Sequence, residues 1–333
     1  MCYRYTIPQE LLSRFNSLTR KPGNCARPGR GGSRPKRAPF YPFGPGLGKR
    51  GGNRLVARGC GRGRSHGRRL GRSRNRAVAR MSLYFEELDY RPTAIGVLSL
   101  RRRRSLSTGA DIFEIKLGDE FLMSSQFTAA EIELARLGLA ARPGAELDVV
   151  VGGLGLGYTA QAVLQNPDVR SLVVVDALAE VIEWHAQGLI PLGRQLTGDP
   201  RCRLVHGDFF AMSDSAEGFD PLAPRRRFDA VLVDIDHSPQ NLLHPRHAAL
   251  YRRAGLEHLA AHLAPGGVFA LWSNDPPEEA FSAVLATVFA SAAAHVVRFD
   301  NWEGQREASN TIYVAVKAGP RGAAVILPSP SAG

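Results

Sequence analysis

Asp148 to Leu164 reads DVVVGGLGLGYTAQAVL: an apolar run, four glycines within six residues (Gly152, Gly153, Gly155 and Gly157), then a segment of helical character. A strand that is apolar on both faces belongs inside a sheet covered on both sides. A glycine-rich turn between such a strand and a helix lets the backbone approach something that side chains would keep away. The spacing is GGxGxG, which differs from the dinucleotide fingerprint. Taken alone, it fits a ligand-binding loop or a purely structural strand-to-helix turn.

The segments downstream extend the rhythm. LDVVVGG, SLVVVD, CRLVHGD, FDAVLVDID and GGVFALWS read as strands, with helices expected at 157–165, 178–188, 246–263 and 277–291. HVVRFD and NTIYVAVK follow one another without a helix between them, the pattern of an antiparallel hairpin at a sheet edge. Upstream, TAIGVLSL, DIFEIKL and EFLMSS read as a small antiparallel unit, with Arg101 to Arg104 as a solvated turn and a helix at 128–140. The predicted class is α/β: a doubly wound, mostly parallel seven-stranded sheet preceded by a small β unit, with ligands at the carboxyl ends of the strands. The boundaries follow as a tail at 1–80, the β unit at 81–127, a nucleotide-binding domain at 128–317 and a loose end at 318–333.

Carboxylates stand at successive strand ends. Asp176 closes SLVVVD about 20 residues after the glycines, where an acidic side chain can accept both hydroxyls of a ribose. Asp208 closes LVHGD, where a carboxylate can accept an amino proton of adenine. Each could instead cap a helix or a loop. The fourth strand ends VLVDIDHSP, which places Asp234, Asp236 and His237 together.

The order GGLGLG, VVVDALAEVIEW, DPRCRLVHGD, RFDAVLVDIDHSP and LAPGGVFALWS resembles the spermidine synthase family, polyamine aminopropyltransferases on the class I S-adenosylmethionine-dependent methyltransferase fold. The resemblance spans roughly residues 83 to 317 and includes the DEF followed by an acid-bearing helix, Asp119 to Glu131. It implies decarboxylated S-adenosylmethionine or S-adenosylmethionine as co-substrate, an amine such as putrescine as acceptor, no metal, and a homodimer. Asp176 and Asp208 would hold the adenosine, and Asp234 falls at the catalytic aspartate. The chain departs from the pattern twice. His237 stands where the family carries a second aspartate, so Asp236 or His237 would have to assist Asp234. Gly155 stands where the family carries an aspartate that pairs with the amine of the transferred group.

Those departures keep three readings open: aminopropyl transfer, methyl transfer, and a catalytically idle binder of nucleoside or polyamine. Aminopropyl transfer needs a carboxylate to attract an alkylammonium and take its proton, whereas methyl transfer can rely on placement. Ser125 and Gln126, where the β unit meets the nucleotide domain, and Trp272, at the end of the fifth strand, are acceptor-side candidates; each could equally be structural. His237, His244 and His247 do not have a recognised metal-ligand spacing.

The net charge of +12 is unevenly distributed: residues 1–80 carry 21 basic residues against Glu10 alone, leaving 22 basic and 30 acidic residues in 81–333. That Gly/Pro/Arg-rich tail lacks the apolar content to fold and is expected to be disordered. It admits three readings: translated sequence upstream of a true start at Met81, a targeting segment, or a nucleic-acid arm, the last being the weakest for the whole chain. Cys2, Cys25 and Cys60 lie in the tail and Cys202 alone in the body, too few for a disulfide framework. No apolar run reaches the ~20 residues of a membrane span. The expected setting is the cytoplasm.

Overall fold

The computed structural model describes residues 84–93, 96–301 and 306–319. The expectations for the basic tail and for most of the C-terminal end lie outside them. Four antiparallel strands come first: β1 (Phe85–Thr93), β2 (Gly96–Arg104), β3 (Asp111–Leu117) and β4 (Glu120–Ser124), in the order β1-β2-β3-β4. Helix α1 (Ala129–Ala140) leads into β5 (Leu147–Gly152), α2 (Tyr158–Gln165), β6 (Val169–Asp176), α3 (Ala179–Gln187), α4 (Gly193–Gly198) and β7 (Cys202–His206). Then follow α5 (Phe209–Asp214), β8 (Phe228–Val233), a 3₁₀ turn (Pro245–Ala249), α6 (Arg253–Ala261), β9 (Leu263–Ser273), α7 (Glu279–Ala286), β10 (Ser291–Asn301) and β11 (Arg306–Val316). The second sheet has seven strands in the order β10-β11-β9-β8-β5-β6-β7. Strands β9, β8, β5, β6 and β7 run parallel, and β11 is antiparallel to both its neighbours. The doubly wound sheet, its leading β unit and the closing hairpin are therefore as the sequence predicts.

Alternation along the central strands makes two cores. Val149, Val151, Leu232, Ala270 and Ile312 face one way with Leu134, Val163 and Trp184, while Val150, Val231, Val233, Phe269 and Leu271 face the other with Phe209, Leu256 and Phe281. All six residues of β5 are buried, which is why its sequence is apolar without interruption. Helix α1 lies close on the first face at Gly138, where an added Cβ would stand 2.6 Å from Leu232 Cδ2.

The structure corrects the sequence reading in four places. Arg101 to Arg104 form the end of β2, facing Glu87, Glu86, Phe113, Ile112 and Asp111 across the sheet. Arg102 bonds Glu86 at 2.5 Å and Arg103 bonds Glu114 at 2.6 Å, so acidic cross-strand partners neutralise the run that looked like a turn. Strand β1 was not expected; it is tied to α3 by Trp184 Nε1–H donating to Asp89 at 2.6 Å and by the Arg91–Glu183 ion pair. The helix expected at 246–263 divides into a 3₁₀ turn and α6, because the chain folds back until Gly255 lies where a Cβ would meet Ala249 O at 2.1 Å. Helix α7 stops at Ala286, and Ser291 to Ala294, alanine-rich and helix-compatible, pair with β11 instead. No helix among the described residues is long and apolar enough to cross a membrane.

Candidate active site

The carboxyl ends of β8, β5, β6 and β7 are stitched side by side. Asp234 N–H donates to Gly152 O, Gly153 N–H to Val175 O and Gly207 N–H to Asp176 O, each at 2.9 Å. Asp234, the glycine turn, Asp176 and Asp208 thus follow one another along one edge of the sheet. At ~4.8 Å per strand the row is about 14 Å long.

Each glycine of the turn makes room for a protein group. A Cβ on Gly152 would stand 2.6 Å from the Phe209 ring, on Gly153 2.1 Å from Asp234 O, on Gly155 2.5 Å from Met123 Sδ, and on Gly157 2.6 Å from Leu196 Cδ1. Gly153, Gly155 and Gly157 also have positive φ (94°, 46° and 93°), so the turn needs them for its backbone conformation as well. Met123, on β4, accepts from Leu156 N–H at 3.0 Å and brings the small sheet against the turn. From below, the buried His185 ring bonds Gly155 O at 2.9 Å.

The two acids predicted for adenosine are both engaged locally. Asp176 accepts the amides of Leu154 and Leu178, each at 2.8 Å. Burial pushes its carboxyl above the ordinary range, against the opposing pull of those amides and that of Gly155. Asp208 is the N-cap of α5, accepting from Phe210 and Ala211 at 3.0 and 3.2 Å. Both oxygens of Asp176 and one of Asp208 therefore support the loops, and each carboxylate retains unused acceptor capacity.

A different cluster forms at Asp234. Its Oδ2 accepts from Thr159 Oγ1 at 2.8 Å, at the first turn of α2. Burial pushes the Asp234 carboxyl up to about 6. Across from it, on the first turn of α1, burial and the Asp234 charge push Glu131 up to about 8. Tyr158 joins them, its phenol hydrogen-bonded to Ser125 and its ionisation opposed by burial and by Glu131. Trp272 stands on β9 next to Leu271, which pairs with Val233, so its side chain shares the face of Asp234; its indole N–H is buried without a hydrogen-bond partner among the described residues. Sequence reasoning grouped neither Glu131, Tyr158 nor Thr159 with the site, since only the fold brings α1 and α2 to the end of β8.

These shifts fix a sign for pH dependence. A carboxyl whose folded pKa is raised binds more protons folded than unfolded between the two values, so stability falls as pH rises through that window. The contribution of this pair to unfolding free energy should decline between pH ~4.5 and ~8 and level off above, so Glu131→Gln should gain on the wild type as pH rises toward 8. Urea denaturation of both proteins at pH 5, 7 and 9 measures the difference; a difference that does not change with pH would count against the pair.

Asp236 and His237 are placed otherwise. The Asp236 carboxylate is 1% exposed and accepts Leu243 N–H, His247 Nδ1–H and Tyr251 O–H, each at 2.8 Å. It therefore organises the 236–251 loop and makes none of these bonds toward Asp234; burial, with the Asp236 charge beside it, holds Tyr251 ionisation well above its ordinary value. His247 also stacks on Phe210, ring centroids 3.6 Å apart. Asp236→Ala should lower unfolding free energy by about 3 kcal/mol, through three orphaned donors; a urea-denaturation loss under about 1 kcal/mol would deny that role. Burial lowers the His237 ring pKa against the opposing charges of Asp236 and Asp275, which keeps it neutral. His244 Nδ1 accepts from Arg246 N–H at 3.1 Å. Ser125 Oγ also accepts Phe113 N–H at 2.9 Å, and the Gln126 side-chain oxygen is taken by Arg103 at 2.6 Å.

The chain is 32% identical over 136 residues to a polyamine aminopropyltransferase of Prochlorococcus marinus (strain MIT 9313), a match covering 41% of this chain and 42% of that protein. The matched part is thus less than half the length of the curated relative. A spermidine synthase from Thermotoga maritima superposes with a TM-score of 0.52 at 16% identity, covering 70% of this chain and 73% of that one. Spermidine synthase in complex with the transition-state analogue AdoDATO superposes with the same score, identity and coverage. No family model matches the chain. In sequence and in fold the protein resembles the spermidine synthase-like family on the methyltransferase-like scaffold.

Proposed function

We propose that the protein is a transferase that moves the aminopropyl group of decarboxylated S-adenosylmethionine to a small amine such as putrescine, with Asp234 as general base. The observation that carries this is the Asp234 carboxyl, lifted to about 6 at the carboxyl end of β8 and backed by the glycine turn. A base of that pKa is ionised at neutral pH yet strong enough to take a proton from a bound ammonium as attack begins. The alkylammonium gives one proton to Asp234, and the freed amine nitrogen attacks the methylene carbon on the sulfonium. As the C–N bond forms the C–S bond breaks, the electron pair returns to sulfur as the neutral thioether, and the product leaves as a secondary ammonium. Asp176 and Asp208 serve the ribose and adenine with their remaining acceptor capacity. Ser125 and Trp272 flank the acceptor, while Gln126 acts indirectly through Arg103.

The relatives named polyamine aminopropyltransferase and spermidine synthase support this reading. One observation favours methyl transfer as a second reading. The Met123 sulfur occupies the space a side chain at position 155 would need, leaving no carboxylate there for the ammonium of an aminopropyl group. The purified protein with putrescine and decarboxylated S-adenosylmethionine should yield spermidine and methylthioadenosine. Stabilisation by S-adenosylhomocysteine rather than methylthioadenosine in a thermal-shift comparison, with no turnover of any diamine, would favour methyl transfer instead.

A further inference from the structure

Glu131 holds no place in the site as the sequence presents it, yet the fold aims it there. Residues 131, 134, 135 and 138 form one stripe of α1, of which Leu134, Ala135 and Gly138 are buried on the sheet. Gly138 marks the closest approach, its position touching Leu232 of β8. Two turns toward the helix N-terminus the same stripe ends at Glu131, and two residues beyond Leu232, just past the end of β8, stands Asp234. Helix and strand therefore deliver one carboxyl each to the same end of the sheet. The groups facing the pair are Tyr158 and Thr159 from α2, Ser125 after β4, and Trp272 from β9.

We infer that Glu131 supplies the second carboxylate of the acceptor site, forming with Asp234 a pair that shares one proton until a cationic amine displaces it. This deepens the aminopropyl-transfer reading and rests on it. Two carboxyls held close at a partly buried site resist double ionisation: burial and the Asp234 charge push Glu131 up, and burial pushes Asp234 up. An ammonium between them reverses that preference, because it stabilises the doubly ionised state. Binding is then selective for a cation by charge, without a carboxylate at position 237. A neutral acceptor would leave the proton where it is and gain nothing from Glu131. Asp236, the acid adjacent in sequence, is committed to Leu243, His247 and Tyr251.

Calorimetric titration of putrescine into the full chain saturated with methylthioadenosine, in two buffers of different ionisation enthalpy, tests the pair. At pH 7 the wild type should release close to one proton per amine bound, and affinity should rise with pH through about 8. Glu131→Gln should release none, show a flat pH profile and bind putrescine at least about tenfold more weakly at pH 8.5. Methylthioadenosine affinity should stay unchanged in that variant, which also reports an intact fold, and Glu131→Asp should restore the proton release. Unaltered proton release and pH profile in Glu131→Gln would overturn the role of Glu131 and leave aminopropyl transfer standing. A wild type that binds methylthioadenosine but no amine at any pH would overturn the aminopropyl reading itself, and the pair's role with it.

Discussion

Asp234→Asn should lower kcat by about 10³-fold while leaving methylthioadenosine affinity within a few-fold of the wild type. The asparagine keeps the volume and can still accept from Thr159 Oγ1, which now bonds the carboxylate at 2.8 Å. What it loses is the capacity to take a proton. The same substitution should raise stability at pH 8, because a carboxyl lifted to about 6 by burial carries an ionisation cost that an amide does not. Opposite signs for activity and stability separate a catalytic acid from a structural one: a supporting residue such as Asp236 would lose both. If Asp234→Asn retained more than about a tenth of wild-type kcat, Asp234 could not be the base.

Much of this site was legible in the sequence, and the parts that were not share a physical cause. Asp176, Asp208 and Asp234 stand where the apolar runs of three strands give out, so they could be picked out as candidates, and they lie in one row. Asp236 looked like a partner of Asp234 because it is two residues away. The strand ends at Val233, the chain turns, and the second acid goes into the loop's own support. Glu131 is about a hundred residues from Asp234 in the chain, and nothing local to helix α1 shows which stripe meets β8. The arginine run misled for a related reason. Arg101 to Arg104 look solvated until Glu86, Glu87 and Glu114 are set across from them by pairing that no local pattern encodes.

The glycine turn shows the same limit more sharply. Its composition announces close approach, and the natural reading is approach to a ligand. The observed neighbours of the missing side chains are Phe209, the Asp234 carbonyl, Met123 and Leu196. Ligand contact at this turn would come from its backbone on the open side, while the glycines themselves are required by packing from within. The four positions are therefore unequal, since three face side chains that can shift and one faces backbone.

Gly153→Ala should consequently be the most damaging small substitution in the turn. The added methyl would stand 2.1 Å from Asp234 O and 3.0 Å from its carbonyl carbon, at a residue whose φ is 94°. Neither atom belongs to a side chain that can rotate away, so relief requires moving the peptide that carries the base. We expect a loss of roughly 3 kcal/mol or more in stability, from strain and overpacking together, and about 10²-fold in kcat from displacement of Asp234. Gly109→Ala provides the comparison, since its φ is 71° and nothing lies within 4 Å of the new methyl. That variant bears the left-handed backbone cost alone, about 1 kcal/mol, with activity intact. The difference between the two urea midpoints isolates the contact between the turn and Asp234. Equal midpoints, with Gly153→Ala still active, would mean that the turn can yield without moving the base, and the coupling between glycine loop and catalysis would be lost.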